Sequence, residues 1–412
     1  MCTTQLIEEI QMKSIASPLQ YWKNINNKQK FEIGIIATGA LLVGQVISLA
    51  LSTSALAQPL SQTDRQLVDN IVTSVIKDGK QPGVSISITG PKGDYAKSYG
   101  IASSIPKRAL SLNDHFRIGS VTKSFTATAI LMQVDKGTVS LDDTLDKYVS
   151  GVPNGDIITV RQLLMMRSGV FDYQADPAIA AVFSIFPTWQ FSPEGALQSI
   201  RKHPSQFAPG SQYQYTNSNY QLLGMILEKV TGKKYQNVIK DDIVTPLGLT
   251  KTSLPANATM PTPYAKGYSP LFLGLYRDVT AINPALFGAA GSMVSTVDDQ
   301  QKWGAAMRDG TLLKPATHAL SQATFCPVPY TGEGPSAFGY GLGLIQLGRW
   351  IGHNGSIPGY GAITFYDQQS GAIITGMETM QTSDLSVFSR IMQRIGAQLY
   401  PGSMETPAYP EC

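Results

Sequence analysis

The chain has 412 residues, 43% of them hydrophobic and 15% charged, with 32 Lys and Arg against 29 Asp and Glu. Such a composition supplies a large core and excludes disorder as the main state, and a formal charge of +3 without a Lys/Arg cluster excludes the electrostatic footprint of a nucleic-acid binder. Four His and three Cys, none in C-x-x-C or H-E-x-x-H spacing, give no basis for a zinc site, so neither a metal nor a cofactor is expected.

In chain order, the first element is a stretch from Ile33 to Thr63 without a charged residue. Within it lies the 19-residue apolar run Ile33 to Leu51, preceded by Lys13, Lys23, Lys28 and Lys30. Ala55-Leu56-Ala57 before Gln58 is the small-x-small pattern that a signal peptidase cuts after. Residues 1–57 are therefore expected to be a signal peptide or a retained N-terminal anchor, and either places the rest of the chain outside the cytoplasm, periplasmic or secreted. Cleavage would remove Cys2 and leave Cys326 and Cys412 in an oxidising space, as a disulfide or as two thiols.

Beyond Gln58, Leu67, Val68, Ile71, Val72, Val75 and Ile76 form one stripe between Asp64 and Asp78, which predicts an amphipathic helix closed by Gly79. Val84, Ile86 and Ile88 alternate with Ser85, Ser87 and Thr89, the period of a half-buried strand, and Tyr95 to Ile101 pairs with it across Pro91-Lys92-Gly93. Ser120 to Lys136 is a helix with a glycine stop at Gly137. Helical segments such as Gln221 to Val230 then alternate with loops to about residue 285. Strand patterns return at Phe338, Tyr340, Leu342 and Leu344, at Trp350 to His353, Ala362 to Tyr366 and Ala372 to Gly376, before a closing helix from Asp384 to Leu399. The expected fold class is α+β: an antiparallel sheet flanked by helices and formed from both ends of the chain (58–118 and 286–412), with an inserted helical domain (119–285) and the active site at their junction.

The chemistry begins at Ser120-Val121-Thr122-Lys123. Residues three apart on a helix face the same way, so a hydroxyl and an amine are brought together, and a Lys whose charge is disfavoured by burial can take the serine proton. The same spacing occurs at Ser74 and Lys77, Ser104 and Lys107, and Ser199 and Lys202, but only Ser120 heads an apolar helix, with Gly119 leaving room before it. The adjacent acids Asp142-Asp143, Asp241-Asp242 and Asp298-Asp299 read as turn and cap residues, since neighbours in sequence do not face each other across a bond.

The segment FRIGSVTKSF, from Phe116 to Phe125, closely resembles the nucleophile segment of the penicillin-recognising serine hydrolases, the group of class C β-lactamases, serine D-alanyl-D-alanine carboxypeptidases and related esterases. A Tyr-x-Asn element follows as Tyr215-Thr216-Asn217, and a His-x-Gly element as His353-Asn354-Gly355, in the order of that group; Tyr235-Gln236-Asn237 repeats the first tripeptide in a polar helical stretch. The resemblance covers nearly all of residues 60–400 and implies an acyl-enzyme mechanism without a cofactor. In it Ser120 attacks, Lys123 and Tyr215 handle the proton, Asn217, His353 and Gly355 bind substrate, and the backbone N–H groups of Ser120 and Ser356 hold the oxyanion. The G-x-S-x-G elbow of α/β-hydrolases is absent from the sequence.

His-x-Gly resembles the D-peptidase branch more than the Lys-Thr-Gly of class C β-lactamases, so a D-alanyl-D-alanine carboxypeptidase or related D-specific peptidase acting on peptidoglycan stem peptides is expected first. A β-lactamase or esterase with the same site is the alternative, and a catalytically poor penicillin-binding protein the third. One departure bears on this choice: Gly339 to Gly348 holds no Arg or Lys to grip a terminal carboxylate, and only Arg349 is near. The partners expected are a small-molecule or peptide substrate and, through residues 33–51, a membrane; the chain is expected to be a monomer.

Overall fold

The computed structural model describes residues 58–409 except 80–81, 273–274, 330–336 and 380–386. The chain divides between Gln58 and Pro59, and the apolar run Ile33 to Leu51 with its cleavage pattern lies outside the described residues. Among the described residues no helix is long and apolar enough to cross a membrane.

Thirteen strands are described: β1 Gly83–Thr89, β2 Tyr95–Ser104, β3 Lys107–Ala109, β4 Phe116–Arg117, β5 Tyr268–Phe272, β6 Leu275–Asp278, β7 Val294–Ser295, β8 Phe325–Pro329, β9 Ala337–Gly341, β10 Ile345–Leu347, β11 Trp350–Ile357, β12 Tyr360–Asp367 and β13 Ile373–Glu378. Nine of them form one sheet in the order β3-β2-β1-β13-β12-β11-β10-β9-β8. Every neighbouring pair in it is antiparallel. The sheet is closed from the two ends of the chain by β1 against β13, Val84 opposite Glu378 through Thr89 opposite Ile373, as the strand patterns at 83–101 and 338–376 predict.

The longer helices are α1 Gln62–Gly79, α2 Thr122–Asp135, α3 Pro177–Ile185, α4 Pro193–Lys202, α5 Asn217–Thr231, α6 Val297–Asp309, α7 Pro315–Ala323 and α8 Val387–Leu399. Val84, Ile86 and Ile88 of β1 pack with Val68 and Val72 of α1 and Ile391, Ile395 and Leu399 of α8, which builds one core on one face of the sheet. The other face, with Ile351, Ala362, Tyr366 and Met377, packs on Trp303 of α6 and runs into Phe125, Leu222 and Ile226 of α2 and α5. β1 is therefore buried on both faces rather than one. Ser85 and Ser87 are 1% and 8% exposed because α6 covers them, and Ser85 satisfies its hydroxyl on Ser98 at 2.9 Å.

Local chemistry sets most boundaries. Thr216 caps α5 by accepting from the Ser218 amide, and Gly232, at φ 67°, ends the helix in the left-handed conformation. Gly137, at φ 73°, does the same after α2. The alternation from Phe338 to Leu344 is not one strand: Gly343 turns at φ 83° and splits it into β9 and β10. β8 carries Pro327 and Pro329, a pattern that reads as non-strand; it stands at the sheet edge, where a missing N–H donor costs least. Within residues 119–285 helices predominate, with the β5–β6 hairpin among them. Cys326 on β8 is disulfide-bonded, and Cys2 and Cys412 lie outside the described residues.

Candidate active site

β4 pairs with β7, Phe116 opposite Ser295 and Arg117 opposite Val294, and delivers the chain to Gly119. Gly119 has φ 49°, and a Cβ on it would stand 2.9 Å from the Ser356 nitrogen, so both backbone conformation and space demand glycine. Gly119–Val121 is a turn of 3₁₀ helix and α2 begins at Thr122, two residues later than periodicity predicts. In this tighter geometry residues three apart eclipse, and Lys123 comes directly over Ser120.

Lys123 is fully buried, and its Nζ lies 3.0 Å from Ser120 Oγ, 2.6 Å from Asn217 Oδ1 and 2.9 Å from the Ala290 carbonyl oxygen. Tyr215 and Tyr220 present ring faces 4.8 and 5.5 Å from the same nitrogen. Burial pulls the Lys123 amine down to about 7, against the opposing charge of Asp172. Tyr215 borders the cleft, 37% exposed, with its hydroxyl engaged by the Ser120 side chain, and burial of that hydroxyl holds the phenol well above its usual range. Asn217, the first residue of α5, uses both ends of its amide, since Nδ2 donates to Gln174 Oε1 at 2.8 Å.

The sheet supplies the other wall. A Cβ on Gly355 would lie 2.0 Å from the Ile118 carbonyl oxygen and 2.8 Å from the Ser120 nitrogen. Only glycine lets β11 rest on the turn at Ser120, and that contact brings the Ser120 and Ser356 amides together. His353 is fully buried in the wall: Nδ1 lies 2.5 Å from the Asn354 carbonyl oxygen, which fixes the proton on Nδ1, so Nε2 accepts from the Tyr340 hydroxyl at 3.2 Å. Burial, with the Lys123 charge nearby, pushes this imidazole down to about 3, so it is neutral. Both nitrogens are taken by protein groups, so in this structure the ring stands behind the cleft.

Ser120, Lys123, Tyr215, Asn217, Gly355 and Ser356 are thus brought to one place. The Ala290 carbonyl, Gln174, Asp172 and Tyr340 join them without a signal in the sequence: a carbonyl has no residue signature, and Asp172 and Gln174 cap and occupy a single 3₁₀ turn, Tyr173–Ala175, too short to leave a periodic pattern. The other Ser/Lys spacings lie elsewhere; Ser199, for one, gives its hydroxyl to Asp176 at 2.7 Å. Asp142 pairs with Arg161, Asp241 with Lys233 and Asp298 with Lys302. Arg349 is bound to the Asp367 carboxylate through Nε at 3.1 Å and Nη2 at 3.2 Å. It precedes the end of β11 opposite Ser356, roughly 23 Å away at strand rise. Among the described residues no group of His, Cys, Asp and Glu could hold a metal ion.

A family model described as Beta-lactamase matches residues 68–393. The chain belongs to the Beta-lactamase family. Penicillin-binding protein 4* of Bacillus subtilis (strain 168) is 25% identical over 322 residues, which span 73% of this chain and 68% of that protein. The match to protein flp of Staphylococcus aureus (strain MRSA252), 30% identical, spans 51% of this chain and only 42% of that protein. Among solved structures, a D-stereospecific amidohydrolase from Streptomyces sp. is 30% identical with a TM-score of 0.72, over 81% of this chain and 98% of that one. A D-amino acid amidase from Ochrobactrum anthropi SV3, solved with L-phenylalanine, is 26% identical at the same TM-score and coverage. This chain is a serine hydrolase of the Beta-lactamase fold, related to penicillin-binding proteins and D-amino acid amidases.

Proposed function

We propose that this protein is an exported acyl hydrolase that cleaves amide or ester bonds of D-amino acid derivatives through an acyl-enzyme on Ser120. The observation that carries the reading is the water-excluded Lys123 amine 3.0 Å from Ser120 Oγ, with its protonation brought near neutrality by burial. Neutral Lys123 accepts the hydroxyl proton as Oγ bonds to the substrate carbonyl carbon, and the backbone N–H groups of Ser120 and Ser356 hold the resulting oxyanion. Collapse breaks the C–N or C–O bond, the leaving group takes the proton from Lys123 through Tyr215, and water then hydrolyses the ester to release the acid and regenerate Ser120.

The commitment of Arg349 to Asp367 favours substrates without a free terminal carboxylate, so D-amidase or esterase activity ranks ahead of D-alanyl-D-alanine carboxypeptidase activity. The names of the Streptomyces and Ochrobactrum proteins support the same order. Export rests on the apolar run Ile33 to Leu51 behind its lysines, and recovery of the protein in a cytosolic fraction would contradict it.

The test is acylation by a fluorescent penicillin followed by substrate ranking. The full chain takes up the label and Ser120→Ala does not. D-Alanine amide and p-nitrophenyl acetate are then turned over faster than D-alanine is released from a D-Ala-D-Ala peptide. Unchanged labelling of Ser120→Ala sinks the mechanism; labelling without turnover of any substrate leaves a penicillin-binding protein that is not a working hydrolase.

A further inference from the structure

Four of the eight large hydrophobic residues left exposed among the described residues fall in one short stretch: Val182, Ile185, Phe186 and Trp189, the last three 67%, 56% and 62% exposed. α3 contains no buried residue. Its inward side, Ile179 and Phe183, is only half-buried, and between this side and the returning loop lies a groove of about 220 Å³ without a charged lining residue. Contiguous apolar surface of this kind marks a binding site more often than it marks chance exposure.

The groove is built, not loose. Asn283 donates its backbone N–H to the Pro187 carbonyl at 2.9 Å and its Nδ2 to the Thr188 carbonyl at 3.3 Å, which fixes the loop that carries Phe186 and Trp189. Phe191 stacks on Tyr173 at 5.8 Å, and Phe183 meets Phe287 edge-on at 5.9 Å. The groove wall is also tied to the catalytic groups by hydrogen bonds. Leu286 lines it, and the Leu286 carbonyl accepts from the Tyr173 hydroxyl and, at 3.4 Å, from Gln174 Nε2, while Gln174 Oε1 accepts from Asn217 Nδ2. Four residues after Leu286, the Ala290 carbonyl receives Lys123. Groove wall and nucleophile activation therefore share one backbone segment.

We propose that this groove binds the apolar part of the substrate's acyl group: an aromatic or branched aliphatic side chain next to the carbonyl that Ser120 attacks. The leaving group takes its proton at Tyr215, which stands with Tyr213 and Tyr340 on the β9 side, whereas the groove wall is joined at Leu286 to Gln174 and through it to Asn217. The assignment to the acyl end rests on the acyl-enzyme reading; occupancy of the groove by a neutral apolar group does not.

Two measurements on the full chain separate these. With p-nitrophenolate as the common leaving group, the 3-phenylpropanoyl ester is hydrolysed with kcat/KM at least tenfold above the acetyl ester, after correction for their rates with hydroxide. Trp189→Ala and Phe186→Ser, both at exposed positions that line the groove, bring that ratio below about threefold by slowing the 3-phenylpropanoyl ester more than the acetyl ester. In Ser120→Ala, 3-phenylpropanamide perturbs tryptophan fluorescence and acetamide does not, and the perturbation is lost in Trp189→Phe. A parent ratio near one, variants that keep the parent ratio, or no perturbation by the amide overturns the groove assignment. Variants that keep the ratio but lose binding to phosphatidylglycerol vesicles, or lose self-association, overturn it in favour of a membrane or a second copy. Binding of the amide together with ester hydrolysis that survives Ser120→Ala overturns the acyl-enzyme reading and leaves the groove's occupant standing.

Discussion

Lys123 has been moved from water into a wall made of Tyr215, Tyr220, Asn217 and the Ala290 carbonyl, and its chemistry follows from what that wall lacks. The charge that offsets the burial is Asp172; Tyr215 and Tyr220 are held as phenols and His353 as a neutral ring, so none of them supplies another. In the proposed mechanism the neutral amine is the active form, so kcat/KM for p-nitrophenyl acetate rises with pH through about 7 and then levels, and is lost on the acid side. Asp172→Asn removes the one stabilising charge and shifts that limb to lower pH, a displacement that a purely structural change does not produce. Lys123→Arg, which cannot give up its proton, lowers kcat/KM by about 10²–10⁴-fold. The pairing of Ser120 with Lys123 is legible in sequence because three-residue spacing on an apolar helix leaves few alternatives. Gln174 is not legible, because its partner Asn217 is 43 residues away and nothing local marks either as half of a pair.

At the scale of elements, the site is a contact between the turn before α2 and the strand β11. That contact depends on two glycines facing each other, Gly119 against the Ser356 amide and Gly355 against the Ile118 carbonyl and Ser120 amide. Gly355→Ala puts a methyl group 2.0 Å from a carbonyl oxygen, so strand and turn must separate and the two amides no longer converge. The expected result is a loss of kcat/KM of about 10²–10³-fold, the scale of a lost oxyanion donor, with melting lowered by much less than loss of the fold requires; unchanged kinetics would remove the Ser120 and Ser356 amides from the mechanism. Periodicity finds β1, β2, β11, β12 and β13 because each is a run of alternating or continuous apolar residues. It fails at β8, where Pro327 and Pro329 look like breakers until the strand is seen to be an edge, and at β9–β10, where alternation continues through a turn that Gly343 makes. It also misassigns the second face of β1, because small hydroxyl residues under α6 look the same in sequence as residues facing water.

Across the whole molecule the nine-stranded sheet is covered by helices over both faces, and this cover creates a charge problem where the two ends of the chain meet. Glu378 closes β13, opposite Val84 of β1 and Gly361 of β12, 6% exposed, and its Oε2 has no hydrogen-bond partner among the described residues. A Cβ on Gly361 would fall 2.4 Å from Glu378 Oε1, so the carboxyl lies over Gly361, with no salt-bridge partner among the described residues. Burial pushes it up to about 8. Between the ordinary carboxylate range and that value the unfolded chain has released this proton while the folded chain keeps it, so stability falls as pH rises through the window. Lys123 and His353, both lowered by burial, act in the opposite sense: folding is favoured as pH rises toward the ordinary lysine range in one case and is weakened as pH drops below the ordinary histidine range in the other. Comparing Glu378→Gln with the parent cancels those two contributions and isolates the carboxyl. The substitution keeps the shape and removes the ionisation, which is on the order of a few kcal/mol across the window. At pH 5 the two proteins melt within about a degree of each other; at pH 8 the variant melts higher by roughly 3–6 °C. Equal melting at both values would mean that the carboxyl gains a partner or water in solution, and the meeting of β1 with β13 would then carry no pH dependence.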